Sequence, residues 1–115
     1  MISCSDEVEI ESNNPMKHSS SVEELIEHTK EFKKEIYSYG NGIHVAVGYG
    51  IANSIMVEGI DGNIIIDASD STYEAEIIYN QFKKINSNPI KAIIYTHNHG
   101  DHTFGTSYYY NLYED

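Results

Sequence analysis

Apolar residues recur at helical spacing in two segments of the chain. The first begins at Ser21, and its spaced positions are Val22, Leu25, Ile26, Thr29, Phe32 and Ile36. The second begins at Ser71, and the residues predicted to line its buried side are Ala75, Ile78, Phe82 and Ile85. Each segment opens with Ser-x-x-Glu, a capping box in which the serine hydroxyl accepts a hydrogen bond from the backbone three residues on. The pattern therefore predicts two amphipathic helices, the second of which ends within residues 86–89.

Shorter apolar runs, separated by glycine-containing turns, predict five strands. These strands are residues 36–39, 43–47, 53–58, 63–67 and 90–95. The first two flank Gly40-Asn41-Gly42, a turn suited to positive φ, so they are expected to form a hairpin. The third and fourth form a second predicted hairpin, whose expected core residues are Val57, Ile64 and Ile66. The predicted order is helix, four strands in hairpins, helix and strand.

The last predicted strand leads into a loop with four side chains that bind metals. They are His97, His99, Asp101 and His102, whose imidazole nitrogens and carboxylate oxygens are zinc ligands. Because residues two apart in an extended segment point the same way, His97 and His99 can bind one ion together. A turn at Gly100 then leaves Asp101 and His102 for a second ion. Two ions about 3.5–4 Å apart can share a water and lower its pKa to about 7.

Simpler interpretations exist for this loop and for other reactive side chains. The loop could be a histidine-rich surface segment or a passive zinc site, although its position directly after an apolar strand favours a metal centre. Asp67 ends an apolar strand, where a carboxylate is costly unless it is hydrogen-bonded, and it could instead cap the helix that follows. His28 is expected to be exposed, His44 structural or exposed, and Phe32 part of the core.

The motif and its flanking sequence resemble a known family. His97-x-His99-x-Asp101-His102, followed by Gly105, is similar to the metal-binding signature of the metallo-β-lactamase superfamily. Residues 28–32, 45–55 and 61–67 resemble the beginning of the alkyl sulfatase branch. The resemblance implies an α+β fold, the αββα metallo-β-lactamase-like sandwich. Residues 20–115 would form only its first, N-terminal half.

The resemblance also implies a function, a zinc-dependent hydrolase that cleaves a sulfate ester with a metal-bound water. In that case His97, His99, Asp101 and His102 hold two Zn²⁺ ions, and Asp101 is also the catalytic candidate. Asp67 would support the loop through hydrogen bonds. The substrate would be a small molecule, an anionic ester, and complete family members dimerise. The alternatives are a hydrolase of another ester, thioester or lactam, and an inactive truncated remnant. The last is open because the loop offers two groups per ion where a working site needs about three.

Charge and length restrict the classes of partner. The chain has 115 residues, which suits one domain, and its formal charge of −11 comes from 18 acidic residues against seven lysines. This balance disfavours nucleic acid and an anionic membrane surface, because both need a basic footprint. Two divalent ions would add four positive charges at the loop itself, which favours an anionic substrate there. No segment approaches the length of a membrane span.

The two ends of the chain are expected to lack regular structure. Residues 1–19 read as a disordered polar tail. It contains Cys4, the single cysteine, so no disulfide within the chain is possible. Residues 1–4 resemble the end of a bacterial lipoprotein signal without its apolar stretch. The compartment is left open: we expect a cytoplasmic protein as the sequence is written, and an extracytoplasmic protein or lipoprotein if a signal precedes Cys4. After Gly105 the tyrosine-rich residues 107–115 show no period and are expected to fray, although the family would have a helix there.

Overall fold

The described part of the protein contains one mixed sheet, with the helices Thr72–Ile85 and Thr106–Asn111 packed on one face. The computed structural model describes residues 18–112, with side chains from residue 22. Its elements are α1 (His18–Thr29), β1 (Glu35–Tyr39), β2 (Ile43–Val47), β3 (Ser54–Val57), β4 (Asn63–Ile66), α2 (Thr72–Ile85), β5 (Ile90–Ile94), α3 (Gly100–Thr103) and α4 (Thr106–Asn111). The strand order is β1-β2-β3-β4-β5, with antiparallel neighbours except for β5, which runs parallel to β4. The predicted hairpins, second helix and fifth strand are confirmed.

The helix α2 forms as its capping box predicts. The Ser71 hydroxyl accepts a hydrogen bond from the Glu74 backbone N–H at 3.2 Å. Lys83 and Lys84 lie in the last turn, where positive charge stabilises the helix dipole. Because α2 connects two parallel strands, it brings the carboxyl ends of β4 and β5 to the same edge of the sheet.

The first helix differs from the prediction at both ends. It begins at His18, so Ser21 lies inside it rather than at its cap. After Thr29 the backbone tightens into i→i−3 hydrogen bonds, which end the helix, and pairing with β2 then draws the chain into β1. Phe32 is 60% exposed, so its assignment to the core is wrong. Residues 18 and 19 of the predicted tail are helical, whereas residues 1–17, including Cys4, lie outside the described residues. Among residues 18–112, no helix combines the length and apolar character needed to cross a membrane.

The core lies between the sheet and α2. Its buried members are Ala46, Met56, Ile65, Ala68, Ala75, Ile78, Phe82, Ile90 and Tyr109. The prediction of Val57, Ile64 and Ile66 as core was wrong, because these side chains point to the opposite face and are only partly buried. The assignment of Ile85 to the buried side of the second helix is also wrong, because this residue is 44% exposed at the end of α2. Successive strand residues point to opposite faces of the sheet, and α2 covers the face on which Met56 and Ile65 lie.

The opposite face of the sheet, here called the uncovered face, is apolar across all five strands. By strand register its members include Tyr37, Ile43, Val45, Ile55, Val57, Ile64, Ile66 and Ile94. No described element packs over it, and Ile43 and Ile94 are 37% and 49% exposed. An apolar sheet face normally packs against a second layer, so this architecture is one layer pair of a larger sandwich.

The tyrosine-rich C-terminal segment is helical, contrary to the expectation that it frays. Within residues 106–111, Tyr109 is fully buried, and its ring packs edge-on against that of Tyr79 with centroids 5.9 Å apart. Burial of this large side chain beside α2 stabilises α4 although the segment shows no apolar period. Residues 113–115 lie outside the described residues.

Candidate metal centre

The four predicted ligands lie together at the edge of the sheet where β4 and β5 end. Residues 95–99 leave β5 as a loop that bends at residues 96–98 rather than staying extended, and α3 follows at once from Gly100. This short helix supplies the turn that the sequence predicted. A Cβ at this position would lie 2.5 Å from the Phe104 ring, so a larger residue at position 100 would require that exposed ring to move. The predicted reason, backbone freedom, does not apply, since Gly100 has an ordinary helical conformation.

His97 and His99 form one pair of nitrogen donors. The Nε2 atom of His97 lies 3.1 Å from the Nδ1 atom of His99, and both side chains are exposed to solvent. In a tetrahedral zinc site with Zn–N bonds of about 2.0–2.1 Å, two nitrogen ligands are about 3.3 Å apart. The observed separation is close to that value. It also suits a hydrogen bond between the two rings.

Asp101 and His102 form a second pair. The Nε2 atom of His102 lies 3.3 Å from Oδ2 of Asp101. The His102 ring is also beside that of His97, with centroids 4.0 Å apart, so the two pairs adjoin. Among residues 18–112, however, no group of three or more His, Cys, Asp or Glu side chains is placed to hold a single metal ion. The loop therefore offers two adjacent donor pairs.

Asp67 lies beneath the loop and holds it through three contacts. One carboxylate oxygen accepts from the Thr96 backbone N–H at 2.8 Å, and the other from the Thr96 hydroxyl at 2.8 Å. The same second oxygen is 2.8 Å from Nδ1 of His102. Burial opposes ionisation of Asp67, but these hydrogen bonds outweigh it and hold the pKa of the carboxyl below its ordinary value. Because a carboxylate only accepts, Nδ1 of His102 is the donor and Nε2 is left to face Asp101.

The backbone of Asp67 is fixed as firmly as its side chain. Its φ is +61°, a left-handed conformation, and its N–H donates to the Ile94 carbonyl at 2.8 Å. Its carbonyl accepts from the buried Ser54 hydroxyl at 2.6 Å. The next N–H, that of Ala68, donates to the His102 carbonyl at 2.7 Å. The turn after β4 is thereby joined to β3, to β5 and to the ligand loop.

Gly105 connects the junction of α3 and α4 to this turn. Its N–H donates to the Ser69 carbonyl at 3.0 Å, and a Cβ on it would lie 1.9 Å from the Ala68 carbonyl oxygen. Sequence analysis named Gly105 only as part of a signature, and it did not single out Ser54 or Thr96. The available signal for Ser54 was a serine directly before the apolar residues of a predicted strand.

His44 and His28 lie away from the loop. His44 is buried at the opposite end of the sheet, where its ring lies 2.8 Å from the Ser38 hydroxyl and 2.6 Å from the Glu58 carboxylate. The bonds from Asn86 and His44 hold the pKa of Glu58 below its ordinary value. His28 is exposed on α1 beside Glu31. The structure thus agrees with a structural role for His44 and an exposed position for His28.

Comparisons with known proteins concern the fold and the family of the chain. A linear primary-alkylsulfatase from a Pseudomonas species is 44% identical over 50 residues, which are 44% of this chain and 10% of that protein. The structure of the stereoselective inverting sec-alkylsulfatase Pisa1 from Pseudomonas sp. matches with a TM-score of 0.62 and 24% identity, over 64% of this chain and 12% of that one. The metallo-beta-lactamase FIM-1 from Pseudomonas aeruginosa, in its mono-zinc form, matches with a TM-score of 0.56 and 20% identity, over 68% of this chain and 38% of that one.

These matches confirm the predicted fold and the resemblance to the N-terminal part of alkyl sulfatases. The chain spans only about a tenth of the length of the alkylsulfatases that it matches. The family model of the metallo-beta-lactamase superfamily matches residues 47–113, more than half of the chain, and includes every residue of the candidate centre. The chain belongs to the metallo-beta-lactamase superfamily.

Proposed function

We propose that this chain supplies the first part of a zinc hydrolase centre. His97 and His99 bind one Zn²⁺ ion, and Asp101 and His102 bind a second beside it. The observation that carries the proposal is the spacing within the two donor pairs, 3.1 Å and 3.3 Å, which suits two ligands sharing one ion. Bound zinc would supply the Lewis acidity that activates water near neutral pH.

The chain's own residues orient these donors. Asp67 accepts from Nδ1 of His102, which fixes the tautomer in which Nε2 is unprotonated and able to bind a cation. Thr96 ties the start of the loop to the same carboxylate. Since each ion has two protein donors here and a working site needs about three, further segments would have to complete the centre. Catalysis is therefore proposed for the complete protein.

The substrate that we propose is an alkyl sulfate ester. Identity of 44% to a linear primary-alkylsulfatase over 50 residues supports this class. The formal charge of −11 would repel an anion at a distance, whereas two zinc ions would attract it at the loop. Hydrolysis of another ester, a thioester or a lactam is the second candidate, favoured by the fold match to a metallo-beta-lactamase. A panel of these substrates, tested on the complete protein, separates the two.

Zinc titration of the full 115-residue chain tests the metal proposal. Isothermal titration calorimetry should show two zinc ions bound, and His97→Ala should weaken the first by about tenfold or more, because one of its two donors is lost. His28→Ala is the matched control, since it removes an exposed imidazole on α1. Weak or undetectable zinc binding by the unaltered chain refutes two-ion binding by this chain and supports the remnant interpretation. If both variants lose affinity equally, the bound zinc does not depend on His97 and the assignment of the loop is refuted.

A further inference from the structure

A buried serine connects β3 to the residue that supports the ligand loop. Ser54 is fully buried on the face of the sheet that α2 covers, among apolar core residues. A hydroxyl in such a place is costly unless it is hydrogen-bonded. Its bond is to the backbone carbonyl of Asp67, at 2.6 Å, and that carbonyl has left the β ladder.

The need for this bond follows from the way β4 ends. Pairing between β3 and β4 stops at Ile55 and Ile66, and the next residue, Asp67, turns to a φ of +61°. A left-handed conformation is unfavourable for residues with a side chain, so other contacts must hold it. The Ser54 hydroxyl donates to the Asp67 carbonyl in place of the backbone N–H that would do so if the β ladder continued.

The conformation of Asp67 decides where its carboxylate points. With the N–H held by Ile94 and the carbonyl by Ser54, both peptide groups of Asp67 are fixed. The side chain then faces Thr96 and His102, each 2.8 Å away. If the carbonyl were released, rotation about the Asp67 backbone would swing the carboxylate away from both partners.

We propose that Ser54 is a positioning residue for the metal centre. It acts through Asp67: the Ser54 hydroxyl holds the left-handed turn, and Asp67 in turn orients Thr96 and the His102 ring. This inference rests on the proposed function, because a residue can position a metal centre only if that centre binds metal. Its structural part, the coupling from Ser54 to His102, can be measured without any metal.

Nuclear magnetic resonance of the full, metal-free chain measures that coupling directly. In Ser54→Ala, hydrogen exchange of the Thr96 amide should become about tenfold faster, because the loss of one hydrogen bond frees the turn. The ¹⁵N shifts of His102 should change from one tautomer with Nδ1 protonated to a mixture. Ser54→Thr keeps the hydroxyl and should restore both signals. A purely structural role for Ser54 would leave the His102 tautomer unchanged.

A control variant separates this coupling from a general loss of stability. Ser38→Ala removes a hydroxyl that is bonded to His44 at the other end of the sheet. This control should alter neither Thr96 nor His102. The proposal is overturned if Ser54→Ala leaves both signals unchanged, or if Ser38→Ala changes them equally.

Zinc affinity gives the second measurement. Competition with a chromophoric chelator should show binding to Ser54→Ala weakened by about 10-fold or more, as for the loss of other groups that orient metal ligands. If the unaltered chain binds no zinc, the proposed function fails, while the resonance data still decide the role of Ser54. If zinc binds and Ser54→Ala binds it equally well, the proposed function stands and the positioning role is refuted.

Discussion

Replacing Asp67 by asparagine tests how strongly the ligand loop depends on the residue beneath it. The substitution keeps the size of the side chain and removes its charge. The amide oxygen can still accept from the Thr96 N–H, but the NH₂ group then faces the Thr96 hydroxyl and His102. Because NH₂ donates, His102 would have to accept at Nδ1 and carry its proton on Nε2, the atom that faces Asp101.

The size of the effect follows from the contacts that change. A hydrogen bond to a charged group contributes about 1.5–3 kcal/mol and a neutral one about 0.5–1.5 kcal/mol. Asp67 is 5% exposed, so solvent screens its three bonds little. One bond becomes neutral and two must rearrange, which gives an expected loss of about 2–3 kcal/mol in the free energy of unfolding. Zinc affinity should fall by about 10–100-fold, because the wrong tautomer of His102 is favoured.

Urea unfolding followed by circular dichroism measures the loss in the free energy of unfolding. How this loss depends on pH follows from the pKa of Asp67. The pKa of Asp67 is lowered in the folded protein, so its carboxylate stabilises the fold above the ordinary value of 3.8. That contribution disappears as the pH falls through the lower, folded value. The cost of Asp67→Asn should therefore be full at about pH 7 and become smaller as the pH is lowered below about 4.

Asp61→Asn is the matched control, because Asp61 is an exposed aspartate in the turn between β3 and β4. It should change the free energy of unfolding by less than about 0.5 kcal/mol. The reasoning about Asp67 is refuted if the two variants cost the same at neutral pH. An equal cost of Asp67→Asn in neutral and strongly acidic solution would refute it as well.

Two further substitutions test contacts that build the same fold. Gly105→Ala should lower the free energy of unfolding by about 1–3 kcal/mol or more, because its Cβ would overlap the Ala68 carbonyl oxygen, whereas Gly40→Ala, with open space around it, should change little. Thermal unfolding compares the two, and equal melting temperatures would contradict the expected overlap. His44→Ala should lower the free energy of unfolding in urea by about 1–3 kcal/mol, because it removes a buried side chain and one partner of the Glu58 carboxylate. An unchanged free energy of unfolding would exclude a structural role for His44.

Local signals explain what could be predicted from the sequence. The turn at Gly40-Asn41-Gly42 has φ values of +65° and +72° at its last two residues, which only such residues adopt readily. The capping box at Ser71 set the start of α2, and its hydrogen bond to the Glu74 backbone is present. The spacing of histidines after an apolar strand placed the candidate ligands together. Each of these features depends on residues within a few positions of one another.

The covered face of the sheet could not be predicted in the same way. Residues on both faces of β4 are apolar, so alternation alone cannot distinguish Ile65 from Ile64 and Ile66. The position of α2 decides which face is buried, and that depends on the whole crossover from β4 to β5. The C-terminal helix α4 is a similar case, because its stability comes from burying Tyr109 beside Tyr79 rather than from a period in its sequence.

The candidate centre depends both on a local sequence motif and on contacts between residues that are distant in sequence. Its ligands lie within six residues of one another, but their orientation depends on contacts that are distant in sequence. Ser54 reaches Asp67 across 13 positions, and Asp67 reaches His102 across 35. The ligand side chains are exposed or half-buried, whereas the groups that hold them, Ser54 and Asp67, are buried. A site that is open to solvent cannot be made rigid by packing from above, so its candidate ligands are held from beneath by the ends of three strands. This is why a loop motif alone indicated the candidate ligands but not the residues that orient them.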